Sequence, residues 1–267
     1  NIKRFWLPAD LQPFALAAQL NEVADVTLPT WTFIPGGKLS THQQGDVPVQ
    51  AFLMAKAPIT QQQFACFVQA NPWEHHIPGY AKYDEISEDY EEYAWNRDEH
   101  TPPADKGDHP VIFVTLQDAS TYCAWLQKTL QDALASMEGT WTVTLPTIQE
   151  WEFAARGETD RQYAWGHGLS RALANYDNPD GTTPVGQFQP PDRLFDLDDM
   201  TGNVWEWTRT AVTGKGDAEH YVKGGSWMSD AVEESLQISF NNPESVHEVS
   251  PYIGFRVVIT QTGETSA

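Results

Sequence analysis

Two cysteines and eight histidines are the side chains of this sequence best suited to nucleophilic, redox or metal chemistry. Neither set is arranged for it. Cys66 sits in Phe64-Ala65-Cys66-Phe67-Val68 and Cys123 in Tyr122-Cys123-Ala124-Trp125, surroundings in which a free thiol packs as a small hydrophobe. Two such thiols do not indicate a disulfide framework, so a reducing, cytoplasmic compartment is expected. A non-haem iron site needs two or three histidines with open positions beside them. The histidines are His42, His75, His76, His100, His109, His167, His220 and His247. Only His75 and His76 adjoin, and neighbouring residues of a helix or strand face different ways. They read as a surface pair. No stretch reads as a glycine-rich phosphate loop or a serine nucleophile elbow.

The stronger pattern couples glycine to large aromatics. Gly202-Asn203-Val204-Trp205-Glu206-Trp207, Gly224-Gly225-Ser226-Trp227 and Gly254-Phe255-Arg256 each set a residue that permits tight turns beside one that must be packed. Elements that would position these marks are legible upstream. Residues 10–26 read as a helix or arm with Leu11, Phe14, Leu16 and Leu20 as its stripe, and residues 31–37 as a strand ending in a turn. Residues 51–55 are a short apolar run. Thr60 is placed to cap a helix carrying Phe64, Phe67 and Val68 on one face. Residues 109–114 read as a buried strand, followed near Gln117 by a helix with Ala119, Tyr122, Cys123 and Leu126 inward. Residues 142–145 alternate as a strand, and Thr147 with Glu150 matches a capping box for a third helix that Gly157 stops. Short strands and long loops are expected beyond it. The class is α+β and loop-rich.

The chain has 267 residues, enough for one large domain, and a net charge of −21. That charge disfavours nucleic acid and anionic membrane surfaces, which need clustered Lys and Arg. No segment approaches the roughly 18 apolar residues of a membrane helix. Asp84, Glu85, Glu88, Asp89, Glu91 and Glu92, interleaved with Tyr83, Tyr90 and Tyr93, read as a solvated loop or a partner contact. The chain opens on Asn1 rather than Met, so it is expected to be fused to other domains, with residues 1–26 as an arm and 27–267 as the domain.

Taken in order, the motifs resemble the formylglycine-generating enzyme/sulfatase-modifying-factor family, whose fold is an elaborated C-type-lectin-like one. They are Trp31 to Gly37, Pro58-Ile59-Thr60 with Phe64 and Phe67, His109-Pro110-Val111, Asp118-Ala119 with Tyr122-Cys123-Ala124-Trp125, Leu145-Pro146-Thr147 with Glu150 to Gly157, and Tyr163-Ala164-Trp165-Gly166. Ala174-Asn175, Thr183-Pro184-Val185-Gly186, Asp199 to Trp207, Gly224 to Trp227 and Gly254-Phe255-Arg256 complete them. The resemblance spans roughly residues 30–260. In the family's oxidases two cysteines after the Gly-Gly-Ser-aromatic motif hold Cu(I). Their positions here are Ser229 and Glu234, and Cu(I) selects sulfur over such oxygens. No copper is expected. The resemblance implies structural Ca2+ held by Asp199, the Gly202 and Val204 carbonyls and Glu206, with a second site at Asn175, the Tyr176 carbonyl, Asp177 and Asp180. Hard cations take such oxygens; turn capping is the plainer role for the same residues. Arg256 is expected to pair with a buried carboxylate or carbonyl.

Residues 227–252 are polar, rich in Asn, Ser and Glu and punctuated by aromatics, a composition suited to recognition. In C-type-lectin-like folds this segment lines the binding face. The end of the segment also resembles retroelement-diversified ligand-binding proteins, whose variable stretch stops before a Gly-Phe-Arg-Val-Val like residues 254–258. Where that family carries an Arg-x-Ala-x-Arg-like stretch, this chain has Leu236-Gln237-Ile238-Ser239-Phe240. The expected face comprises Trp227, Ser229, Asp230, Glu234, Phe240, Asn241, Asn242, His247 and Tyr252, and would take a protein or small-molecule ligand. Trp205 and Trp227 are expected in the core more than on a platform. The alternatives are a metal-dependent oxidase or iron-dependent sulfoxide synthase using another site, and an assembly role through the acidic loop.

Overall fold

Three helices begin on reciprocal caps, and they orient everything that follows. Thr60, Thr115 and Thr147 each accept the N–H three residues on, while Gln63, Asp118 and Glu150 reach back to the cap N–H. These caps open α2 (Gln61–Ala70), α3 (Leu116–Thr129) and α5 (Ile148–Arg156). The computed structural model describes residues 12–23, 27–41, 45–71, 77–79, 88–231 and 234–262. His42, the His75–His76 pair, and Asp84 with Glu85 of the acidic run lie outside the described residues.

The other elements are α1 (Gln12–Val23), β1 (Trp31–Ile34), β2 (Gly37–Thr41), β3 (Gly45–Val49), β4 (Phe52–Ala55), α4 (Gln131–Ala135) and β5 (Thr140–Thr144). The second half holds β6 (Trp205–Ala211), β7 (Glu219–Lys223), β8 (Asn242–Ser245), β9 (Ile253–Gly254) and β10 (Val258–Thr262). One antiparallel sheet runs β1-β4-β10-β5, joining both ends of the chain, and β2-β3 is a separate hairpin. The third sheet runs β8-β7-β6-β9, with β6 and β9 parallel. Short strands and long connections confirm the α+β, loop-rich class.

The main core gathers α1, α2, α3 and the inner faces of two sheets. Its centre is aromatic: Phe64 stacks on Tyr122 at 5.8 Å, and Phe255 meets Tyr122 edge-on at 5.4 Å. Leu16 and Leu20 of α1 are buried in it, and the Asn21 side chain bonds both the N–H and the carbonyl of Trp31. The stretch read as an arm thus contributes to the core. Residues 110–114 are buried as expected but form no strand. Val111 donates to Ile59 and Phe113 to Ser250, and Phe113 has a φ of 59°, so no continuous ladder develops. Among the described residues no helix is long and apolar enough to cross a membrane.

Candidate functional site

Where β6 begins, the chain turns through Gly202 and Asn203 with φ of 78° and 63°. A Cβ on Gly202 would meet the Asn175 carbonyl at 2.2 Å, so glycine is required there. Asn203 is fully buried and ties three loops together. It donates its N–H to the Asn175 carbonyl (2.7 Å), exchanges side-chain bonds with the Thr183 backbone, and accepts the Trp227 N–H on its carbonyl (2.9 Å). The 175–180 loop also donates from Asp177 to the Ser229 carbonyl and from Asn178 to the Trp227 carbonyl. The expected calcium loops and the start of the recognition segment are therefore one hydrogen-bonded unit.

Glu206 and Arg256 form a sealed pair beneath this unit, each side chain without solvent exposure. Arg256 Nε and Nη2 donate to the two carboxylate oxygens, both at 2.6 Å, and Trp151 Nε1 donates to Oε2 at 2.7 Å. The remaining Arg256 donors go to the carbonyls of Ala55, Lys56 and Asp198. The structural role expected of Arg256 is what it has. Three of the roughly four lone pairs of Glu206 are filled, which leaves one for a cation. The Gly202 and Val204 carbonyls accept no hydrogen bond among the described residues. Asp199, with φ of 54°, accepts the Gly186 N–H at 2.8 Å, and burial pushes its carboxyl up to about 7. Carboxylate and carbonyl oxygens are the kinds of donor that a hard cation takes. No group of three or more His, Cys, Asp or Glu side chains suited to metal occurs among the described residues, so carbonyls would have to complete the shell.

The second expected site fits less well. Asn175 gives its side-chain oxygen to Asn178 and its NH2 to Gly181 and Asn203. Asp177 is paired with Arg171, and Asp180 is exposed with only its N–H engaged, on Asn178. The Tyr176 carbonyl accepts nothing among the described residues. A cation here must displace Arg171.

The expected recognition face divides by burial. Trp227 and Ser229 lie beneath it: Trp227 Nε1 donates to the Pro251 carbonyl, and the Ser229 hydroxyl accepts the Ser226 N–H. Both are held there because Gly224 and Gly225 turn the chain inward after β7. Phe240 is half-buried against Trp205 at 6.2 Å, and Asn242 belongs to β8 opposite Val222. Asn241 gives its side-chain oxygen to Lys223. Asp230, Glu234 and His247 are exposed and Tyr252 half-buried, but His247 follows β8 at the far end of the ladder from Asn242. Composition overlooked two members. Met228 is 49% exposed, and Tyr90 meets the Trp227 ring edge-on at 6.4 Å. A large apolar residue amid polar neighbours was the available signal for Met228.

The two thiols belong to α2 and α3. Cys66 donates to the Gln62 carbonyl, and burial pushes Cys123 up to about 12, where no thiolate forms at neutral pH.

With this geometry in place, the profile of the Sulfatase-modifying factor enzyme 1-like domain matches residues 17–261. The chain belongs to that family. It is 26% identical to the mouse inactive C-alpha-formylglycine-generating enzyme 2 over 277 aligned positions, covering 87% of this chain and 84% of the relative. It is 32% identical to the Mycobacterium tuberculosis formylglycine-generating enzyme, over 58% of each chain. Among solved structures, CarF matches with TM-score 0.63 at 22% identity, over 87% of this chain and 98% of that one. Treponema denticola variable protein 1 matches with TM-score 0.60 at 19% identity, over 86% and 94%. At such identities these structures establish the shared fold and nothing further.

Proposed function

We propose that this domain is a non-catalytic binding module of its family, recognising a protein or small-molecule ligand on the segment that follows β7. One observation carries the reading: the positions that hold paired thiolates in the family's oxidases are Ser229 and Glu234, and the Ser229 hydroxyl is already engaged by the Ser226 N–H. Neither offers the sulfur that Cu(I) selects. The resemblance to an inactive relative supports the same direction. The contact surface is then Met228, Asp230, Glu234 and Tyr252, with Trp227, Ser229, Phe240, Asn241 and Asn242 as its support.

Calcium belongs to this proposal as a structural ion. Asp199, Glu206 and the Gly202 and Val204 carbonyls would hold it, and it would stiffen the loops that carry Trp227 and Ser229. The test is a selection from a displayed peptide library, followed by titration of the recovered peptide against Met228→Ser and Tyr252→Ala. Loss of binding with an unchanged circular dichroism spectrum is expected. Full affinity in both variants refutes the placement. Named formylglycine-generating enzymes among the relatives favour catalysis as the second reading. Stoichiometric copper or iron with oxygen uptake by the purified chain would establish it over binding.

A further inference from the structure

A cleft of about 600 Å3 opens on a different part of the molecule, between β2, α5, the 158–162 loop and residues 237–241. Apart from Asn241, none of its residues belongs to the surface proposed above. Two of its charged groups, Arg156 and Glu152, are committed to each other. Arg156 donates Nε and Nη2 to Glu152 (2.9 and 2.7 Å), and its other donors to the carbonyls of Thr159 and Ser40. Arg161 uses Nη1 on the Ala164 and Asp192 carbonyls. Behind the wall, Lys223 is fully buried and donates to the Ile238 and Phe240 carbonyls and to Asn241 Oδ1.

Besides Nε and Nη2 of Arg161, what remains open is neutral hydrogen-bonding capacity. The side chains of Gln149, Gln162, Gln237 and Ser239 line the cleft and bond no described residue. Asn241 keeps its NH2 free because Lys223 holds only its oxygen. Each amide offers donors and an acceptor together, which is the demand a hydroxyl group makes. At the rim Glu158 accepts the Lys38 N–H on one oxygen, and Asp160, its side chain 97% exposed, sets one oxygen 3.6 Å from His167 Nε2. Carboxylate oxygens in that state accept paired hydroxyls. Among the described residues Ile148 is the large aliphatic side chain with surface in the cleft, Leu39 being fully buried behind it, and no aromatic ring lines it.

These features exclude the competing occupants. Three carboxylates (Glu152, Glu158, Asp160) are balanced by two guanidinium groups (Arg156, Arg161) and by the Lys223 ammonium 3.6 Å behind Glu152, so on a protein of −21 no net positive charge draws an anion. A peptide strand cannot add to β2, because its Lys38 N–H and Ser40 carbonyl are taken by Glu158 and Arg156. A flat aromatic ligand finds no ring to stack on. We infer that this cleft binds a neutral polyhydroxylated molecule of mono- or disaccharide size, read by Gln149, Gln162, Gln237, Ser239 and Asn241 and oriented by Glu158 and Asp160.

The experiment is saturation-transfer NMR and calorimetry on the whole chain with a panel of neutral mono- and disaccharides, and with spermidine and citrate as charged comparators. At least one neutral sugar is expected to bind saturably. The Gln162→Ala/Gln237→Ala double variant should weaken it at least tenfold at an unchanged melting temperature. The Tyr252→Ala variant should leave it untouched, which separates this site from the recognition surface. Spermidine or citrate binding in place of every sugar overturns the inference. So does sugar affinity that survives the double variant, or a panel in which nothing binds.

Discussion

Two acid–guanidinium pairs in this molecule use the same chemistry to different ends. Glu206–Arg256 is sealed, with every donor of Arg256 satisfied by protein atoms from β4, the 198 loop and β6. Glu152–Arg156 joins neighbouring turns of one helix, and its side chains remain 9% and 10% exposed at a cleft. A buried pair is weak evidence of stabilisation in itself, since desolvation offsets the attraction; its environment decides what it does. The sealed pair holds three chain segments in register. The open pair shapes a wall and leaves the ligand-facing capacity to neutral amides.

Breaking the sealed pair should have the largest effect. Arg256→Met strands the Glu206 charge and is expected to cost about 3–5 kcal/mol, read from urea denaturation midpoints. Glu152→Gln keeps an acceptor toward Arg156 and should cost about 1–3 kcal/mol. A cost equal to that of Arg256→Met would erase the distinction between the pairs. Calcium at a hundredfold excess over its dissociation constant should add about 2.7 kcal/mol. At about 2–4 °C per kcal/mol that is a rise of about 5–10 °C in melting temperature, lost in Asp199→Ala. An unmoved transition in chelator would remove calcium from the proposal.

Lys223 provides a pH test of the open side. Burial lowers its pKa to about 8 in the folded chain from the ordinary lysine value of 10.5. The folded state therefore binds this proton less tightly than the unfolded one. The penalty is complete below about pH 8 and is relieved as pH rises from 8 toward 10.5. Wild type should gain stability relative to Lys223→Met across that window, and a constant difference would contradict it. The smallest effect expected is that of Gln162→Ala with Gln237→Ala on stability, within about 0.5 kcal/mol.

Local signals in the sequence were legible where the physics is local. Thr60 and Thr147 cap helices because a hydroxyl and an N–H three residues away need no distant partner, and the same holds for Gly157, with φ of 56°. The reading failed where hydrogen bonds come from afar. Residues 110–114 look like a strand, yet their donors go alternately to Ile59 and Ser250. At the recognition segment the sequence favoured a core place for Trp227, as found, but could not separate Ser229, turned inward, from Met228 beside it, turned outward. The cleft left no sequence signature, because glutamines scattered over residues 149–237 become neighbours only on folding.

From its residues alone the chain is a member of its family: spaced glycine–aromatic marks, capping boxes and apolar stripes are short-range patterns that any unfolded copy already carries. Which carboxylates stay available was settled only in three dimensions. Glu206, Glu152 and Asp199 are alike as carboxyl side chains, but one meets a guanidinium with all donors aimed inward, one borders a cleft, and one is buried beside a single N–H. Desolvation and partner geometry depend on segments up to about two hundred residues apart, such as Ala55 and Arg256, and no local pattern encodes them.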